Sequence, residues 1–183
     1  MASHHIGLFV TLSAYGNRLH GDERGTVDRS HNVPGEPLLA RNDARAGFEA
    51  TRMSFPPVRF RAPIRAAVEA AIQEACAFRG WKLSACHCRT THLHAVVGTD
   101  ADRHEVMMRL KDRSTRSLRQ TGFIGPNQPL WARGGSGRYL WTEADVAAAC
   151  GYTIEGQGDA IPGTTGWDAS WLLYTSDASD EHT

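Results

Sequence analysis

Two histidines stand at alternate positions in the segment Thr91, His92, Leu93, His94, Ala95, Val96, Val97. In an extended chain side chains alternate between faces, so His92 and His94 share one face, and Leu93 and Ala95 take the other. Paired imidazoles on one face can grip a divalent cation. The same pair also suits a half-solvated sheet with no metal. A second group, Cys86, His87 and Cys88, lies just upstream. Its two thiols share a face opposite His87. With His92 and His94 they can be drawn as a zinc site of mixed thiolate and imidazole ligands. That spacing matches no standard structural zinc module, and the other reading is two small buried strand residues. The third group is Tyr152, Glu155 and Gln157, in a stretch that also holds Gly151, Gly156 and Gly158. A tyrosine can serve as a covalent nucleophile, and it can equally be an interface or core residue. On an ideal helix Glu155 stays close to the Tyr152 face, whereas Gln157 lies about 140° away. Loosening at Gly156 would swing Gln157 round. Spacing alone leaves open which of the two side-chain oxygens reaches a metal.

These groups need elements to position them. The apolar, β-branched run Ile6 to Ala14 predicts a buried strand. Residues 16–61 read as a long irregular surface segment or insertion, broken by Gly-Asp, Pro-Gly and Pro-Pro. A helix is predicted from Ala62, with Pro63 in its first turn, Ile64, Ala67, Val68, Ala71, Ile72 and Ala75 inward, and Gly80 as its stop. Trp81 to Cys88 and His92 to Gly98 read as paired strands. Asp100 or Asp102 caps a second helix running to about Gln120, with Val106, Met107, Leu110 and Leu118 inward. A short strand, Arg138 to Trp141, precedes Thr142, which with Asp145 approximates a capping box for a third helix running toward Gly158. The order β-α-β-β-α-β plus a late helix is α+β. It predicts a ferredoxin-like, split βαβ antiparallel sheet with helices on one face and a C-terminal helix carrying Tyr152. Trp167, Trp171, Leu172, Leu173 and Tyr174 are expected to dock back on the core. Residues 1–175 then form one domain, with 176–183 a flexible tail.

The 183 residues suit one domain with its own core. No stretch approaches the ~20 apolar residues needed to span a bilayer. The N-terminus has no basic region leading into an apolar one, so no signal peptide is read there. Four cysteines do not make a disulfide scaffold, and the expectation is reduced thiols in a cytoplasm. Lys plus Arg and Asp plus Glu both number 20, a formal net charge of zero. That excludes a globally basic protein, but the zero divides unevenly. Residues 1–51 carry about −1, residues 52–138 carry +9 and residues 139–183 carry −8, with no Lys or Arg in the last stretch. A basic middle suits a polyanionic partner, and it is also what a solvated basic surface looks like.

Taken together, the chain over about residues 6–158 resembles the single-tyrosine HUH transposases of the IS200 type, including the REP-associated tyrosine transposases. The resemblance rests on the opening strand running into Tyr15 and Gly16, the run Gly21 to Gly25, and Arg-Gly-Trp-Lys-Leu before the second strand. It continues through Arg-Thr-Thr-His-Leu-His-Ala-Val-Val, through Leu130-Trp-Ala-Arg-Gly-Gly with Arg-Tyr-Leu-Trp141, and through Tyr152-Thr-Ile-Glu-Gly-Gln-Gly158. Its specific part is the His-hydrophobic-His strand followed about 60 residues later by Tyr and Gln on a helix. In the usual pattern the Gln stands four residues after the Tyr; here it stands five after.

The resemblance implies a metal-dependent enzyme that cuts and rejoins single-stranded DNA at hairpin or repeat-associated sites. His92 and His94 would be metal ligands, with Gln157 or Glu155 as a third, and the cofactor would be Mg²⁺ or Mn²⁺. Tyr152 would form a 5′-phosphotyrosine and release a 3′-hydroxyl. The implied partner is single-stranded DNA with hairpin structure, with no membrane, and a homodimer is possible within the family. The implied setting is a bacterial cytoplasm, at the nucleoid. Arg109, Lys111, Arg113, Arg116 and Arg119 on the second helix, with Arg133 and Arg138 around the following loop, are the candidates to contact phosphates. Trp131 can stack on an unpaired base or sit in the core. Two other readings stand beside the enzyme: a domesticated relative that holds DNA hairpins without cutting, and a small zinc-binding structural protein built on the Cys/His cluster.

Overall fold

The computed structural model describes residues 4–17 and 41–158. Its elements are β1 (Gly7–Ser13), α1 (Asp43–Thr51), α2 (Ala62–Arg79), β2 (Lys82–Cys88), β3 (His92–Gly98), α3 (Arg103–Gln120), β4 (Ser136–Leu140) and α4 (Glu143–Ile154). The four strands form one antiparallel sheet in the order β2-β3-β1-β4. Two β-α-β units, β1-α2-β2 and β3-α3-β4, interleave to give that order, so the fold is the split βαβ arrangement of the α+β class.

Local chemistry sets the boundaries. Pro63 lies in the first turn of α2, and Gly80 closes that helix in the left-handed conformation at φ 68°. Asp102 caps α3 by accepting from the His104 amide at 2.8 Å. Thr142 and Asp145 form a full capping box on α4: the Asp145 amide donates to Thr142 Oγ1 at 3.1 Å, and the Thr142 amide donates to Asp145 Oδ2 at 3.0 Å. Hydrogen bonding by the Thr142 side chain, and then by the Trp141 and Thr142 amides, holds the Asp145 carboxyl below its ordinary range.

The two faces of the sheet carry different loads. Leu8, Val10 and Leu12 of β1 and Leu93, Ala95 and Val97 of β3 point to one face, against Val68, Ile72 and Cys76 of α2 and Val106, Leu110 and Leu118 of α3. Each such Leu or Val contributes about 1.5–3 kcal/mol by leaving water. The opposite face carries a smaller cluster of Ala85, Val96, Leu140, Ala149 and Cys150, which seats α4 with help from Phe9, Val146 and Ile154. The expected C-terminal helix is therefore present, and it lies across the sheet from α2 and α3.

Two expectations need correction. Residues 16–61 are not wholly irregular, because α1 lies within them, capped by Asn42 Oδ1 accepting from the Arg45 amide at 2.9 Å. No residue of α1 is buried, so it leaves no apolar period in the sequence. The same segment ends in Val58 and Phe60, which are core residues. The third helix stops at Ile154 rather than continuing toward Gly158. Residues 18–40, the aromatic run Trp167 to Tyr174 and the tail 176–183 lie outside the described residues. Among the described residues, no helix is long and apolar enough to cross a membrane.

Candidate active site

The face under α4 carries the polar chemistry. Strand alternation puts His92 and His94 of β3 there, and the register sets Ser13 beside His92 and Thr11 beside His94. The two imidazoles meet edge to face at 4.9 Å between centroids. His94 is buried at 7% exposure and its Nδ1 lies 2.9 Å from Thr11 Oγ1. With Nδ1–H donating to Thr11, the Nε2 lone pair is presented outward, the tautomer a metal ligand needs. Phe9, one pair of positions along β1, stacks flat on the His94 ring at 5.3 Å and 7°. Burial is the main reason that His94 titrates far down, at about 4, with His92 and His87 adding to the effect and Gln157 opposing it. At neutral pH the ring is uncharged.

The last turn of α4 and the turn after it then deliver Tyr152 and Gln157. The Tyr152 ring stands edge-on to His94 at 5.7 Å and to Phe9 at 5.8 Å, and about half of the residue is exposed. Gln157 Oε1 lies 3.2 Å from His92 Nε2. The Gln157 amide nitrogen donates back to the Tyr152 carbonyl at 3.3 Å, which leaves the oxygen facing the histidine. Gly156 makes this turn possible. A Cβ there would stand 2.7 Å from Tyr152 Cδ2 and 2.9 Å from the Tyr152 carbonyl oxygen. Of the two oxygen donors considered from spacing, the structure brings Gln157 to the histidines. Glu155 is the exposed C-cap, and no hydrogen bond joins its carboxylate to either histidine among the described residues.

Two positioning groups escaped the sequence reading. Thr11 is one, because its neighbour across the ladder depends on register. His87 is the other. It sits opposite His94 in the β2–β3 ladder and its Nδ1 lies 3.1 Å from the Thr153 carbonyl, tying the sheet to the residue after Tyr152. A carbonyl only accepts, so Nδ1 carries the proton; Nε2 is buried with no partner.

Of the two readings of the cysteines, the buried strand residues hold and the mixed zinc site does not. Cys86 and Cys88 lie fully buried in the larger core, on the face away from His92 and His94. Burial pushes both thiols well above their ordinary range, with Glu69 adding to it. All four cysteines are free. Among the described residues, no three His, Cys, Asp or Glu side chains gather as a metal cluster. The set His92, His94 and Gln157 is two imidazoles plus a neutral amide oxygen.

The basic residues divide. Arg109, Arg113 and Arg116 lie on α3, across the sheet from the histidines, and each has an acidic neighbour. Arg113 pairs with Glu74, Arg116 with Asp112, and Arg109 approaches Glu105 at 3.9 Å. Arg119 approaches the Gln128 carbonyl at 3.4 Å. Lys111 is partly buried and donates to the Ala132 carbonyl at 2.8 Å and to the Gly134 carbonyl. Arg138 alone of this set shares the histidine face, with its guanidinium 5.8 Å over the Phe9 ring. Trp131 is core: it is 8% exposed, its indole donates to Ser114 Oγ at 3.0 Å, and it packs edge-on against Phe60.

No protein-family model matches the chain, and no curated protein matches it. A solved REP-associated tyrosine transposase bound to a REP hairpin is similar at a TM-score of 0.45 and 10% identity, over 84% of this chain and 67% of that one. A likeness this distant transfers no residue role.

Proposed function

We propose that the protein is a metal-dependent single-stranded DNA endonuclease and strand transferase, a transposase-type enzyme that works through a 5′-phosphotyrosine on Tyr152. The observation that carries the reading is the meeting of Tyr152, His92, His94 and Gln157 on one face of the sheet. The donor set fits a small divalent cation. His94 is held neutral by burial, His92 Nε2 and Gln157 Oε1 converge within 3.2 Å, and three ligands leave open positions for phosphate oxygens. Mg²⁺ or Mn²⁺ held by these residues would polarise the scissile phosphate and offset charge in the transition state.

The chain's own residues do the rest. Thr11 and Phe9 fix the His94 ring, and the Gly156 turn places Gln157 against His92. The capping box and the small apolar cluster set α4 on the sheet, and His87 holds its last turn. Tyr152 Oη attacks phosphorus, the Tyr–O–P bond forms and the P–O3′ bond breaks. A 3′-hydroxyl leaves with the proton balance closed by solvent. The phosphotyrosine is still a phosphodiester, so a second 3′-hydroxyl can reverse the step and join a new strand without a nucleotide cofactor. Arg138, on the same face, is the basic group best placed to meet the DNA backbone there.

The test uses a single-stranded hairpin oligonucleotide labelled at its 3′ end, with Mn²⁺. The label is expected to become covalently attached to the wild-type protein, and His92→Ala and Tyr152→Phe are each expected to abolish attachment. Undiminished cleavage by Tyr152→Phe overturns the mechanism. A hairpin that binds tightly and is never cut favours the non-cleaving relative instead.

A further inference from the structure

A cleft of about 570 Å³ lies between α3 and the loop Pro129 to Gly135, away from the His92–Tyr152 face. Its apolar lining includes Met107, Met108 and Leu130, with Met108 59% exposed. Two cations line it, Lys111 and Arg133. They differ from the other arginines of the basic middle. Arg133 has no ion-pair or hydrogen-bond partner among the described residues, whereas Arg113 and Arg116 are paired with carboxylates. Lys111 spends two of the three N–H groups of its ammonium on the Ala132 and Gly134 carbonyls, which leaves one. Burial lowers its pKa. The acidic lining residue, Asp112, is already paired with Arg116. The cleft therefore joins a soft apolar wall to two uncompensated positive charges. That chemistry fits a flat ring carrying a phosphate.

Its position adds to this. Ser13 pairs with His92 across β1 and β3, and the Ala132 amide donates to the Ser13 carbonyl at 2.9 Å. Ala132 is thus two strand spacings from His92, roughly 10 Å at ~4.8 Å per spacing. A strand that passes from the histidine face to the cleft on the α3 side spans at least about three nucleotides at ~3.4 Å each. The loop carries Arg133 one residue further on.

We infer that this cleft binds one unpaired nucleotide of the same DNA strand, within a few positions of the phosphate held at the histidines. The base lies against Met108 and Met107, and the phosphate is held by Arg133 and the spare Lys111 N–H. This rests on the proposed reading of the site. It adds a base-binding subsite that would set which sequence beside the cut is accepted.

The test is fluorescence anisotropy with a short labelled single-stranded oligonucleotide, over a range of salt and without metal. Three full-length variants are compared with wild type. Arg133→Gln is expected to weaken binding about tenfold and to make the salt dependence shallower by about 0.7, the slope for one phosphate on a single strand. Met108→Gln is expected to weaken binding about threefold with the salt slope unchanged. One abasic position in the oligonucleotide should reproduce that loss and remove the effect of Met108→Gln. Arg79→Ala, whose partner Glu105 is not in the cleft lining, should change affinity less than twofold. Wild-type affinity and slope in both Arg133→Gln and Met108→Gln overturn the subsite while leaving the nucleophile assignment standing. Loss of binding in those two variants, with cleavage retained by Tyr152→Phe, overturns the nucleophile and leaves the subsite. A wild-type protein that binds no single strand overturns both.

Discussion

One face of the sheet is built to hold the protein together and the other to hold chemistry. Under α2 and α3 the strands present Leu, Val and Ala to a continuous core. Under α4 the same strands present Thr11, His92, His94 and His87, and among the described residues a buried apolar cluster of only five joins helix to sheet, two of them from α4 itself. One strand supplies both faces because its side chains alternate: Leu93 is core and His94 is site. The difference teaches where to look for function. A face that buries polar groups and leaves a helix on a small apolar seat gives up stability for access.

Substitutions should separate the two faces. Leu110→Ala, on the core face, is expected to cost about 2–5 kcal/mol in denaturant unfolding. Tyr152→Phe, half exposed on the other face, is expected to stay within about 0.5 kcal/mol of wild type while losing all covalent attachment to DNA. A Tyr152→Phe protein as unstable as Leu110→Ala would mean that the site face is structural after all.

The pH dependence of stability should come from the site face. His94 takes up its proton near 4 in the folded protein and near 6.5 in an unfolded chain. Between those values the unfolded state binds more protons, so stability falls as the pH is lowered through this window. The loss is on the order of 3 kcal/mol by pH 4, from about 1.4 kcal/mol per unit. His94→Gln should flatten the stability curve between pH 6.5 and 4, and an unchanged slope would show that His94 is not the group responsible.

A smaller effect is expected at the α4 turn. Gly156→Ala forces a Cβ against Tyr152, so the turn must shift at a cost of about 1–2 kcal/mol. Because the shift moves Gln157 off His92, Mn²⁺ binding by calorimetry should weaken tenfold or more, the size of effect seen when ligand support is lost. Smallest of all, Arg113→Ala on the core-side helix should change stability by less than about 1 kcal/mol, since it breaks an exposed ion pair with Glu74.

Much of this plan was legible from residue types. The helical spacing of Ile64 to Ala75, the caps at Asp102 and Thr142, and the alternation around His92 are local signals, and the elements formed where those signals lay. Two kinds of feature were not legible. α1 buries nothing, so it carried no apolar period. Which helix covers which face depends on the whole sheet, so the arginines of α3 read as phosphate contacts although they lie across the sheet from the histidines. Thr11 meets His94 only through strand register. Gln157 reaches His92 only because α4 ends at Ile154 and Gly156 allows the turn that follows, so the ideal helical spacing no longer applies.

The most direct measurement asks which atom carries the DNA. After reaction of the wild-type protein with a single-stranded hairpin and Mn²⁺, cleavage after glutamate should release Ala144–Glu155, in which Tyr152 is the sole tyrosine. Mass spectrometry of the nuclease-trimmed product is predicted to find the phosphonucleotide on that peptide. Modification of any other peptide, or DNA cut with no covalent attachment, would contradict the account.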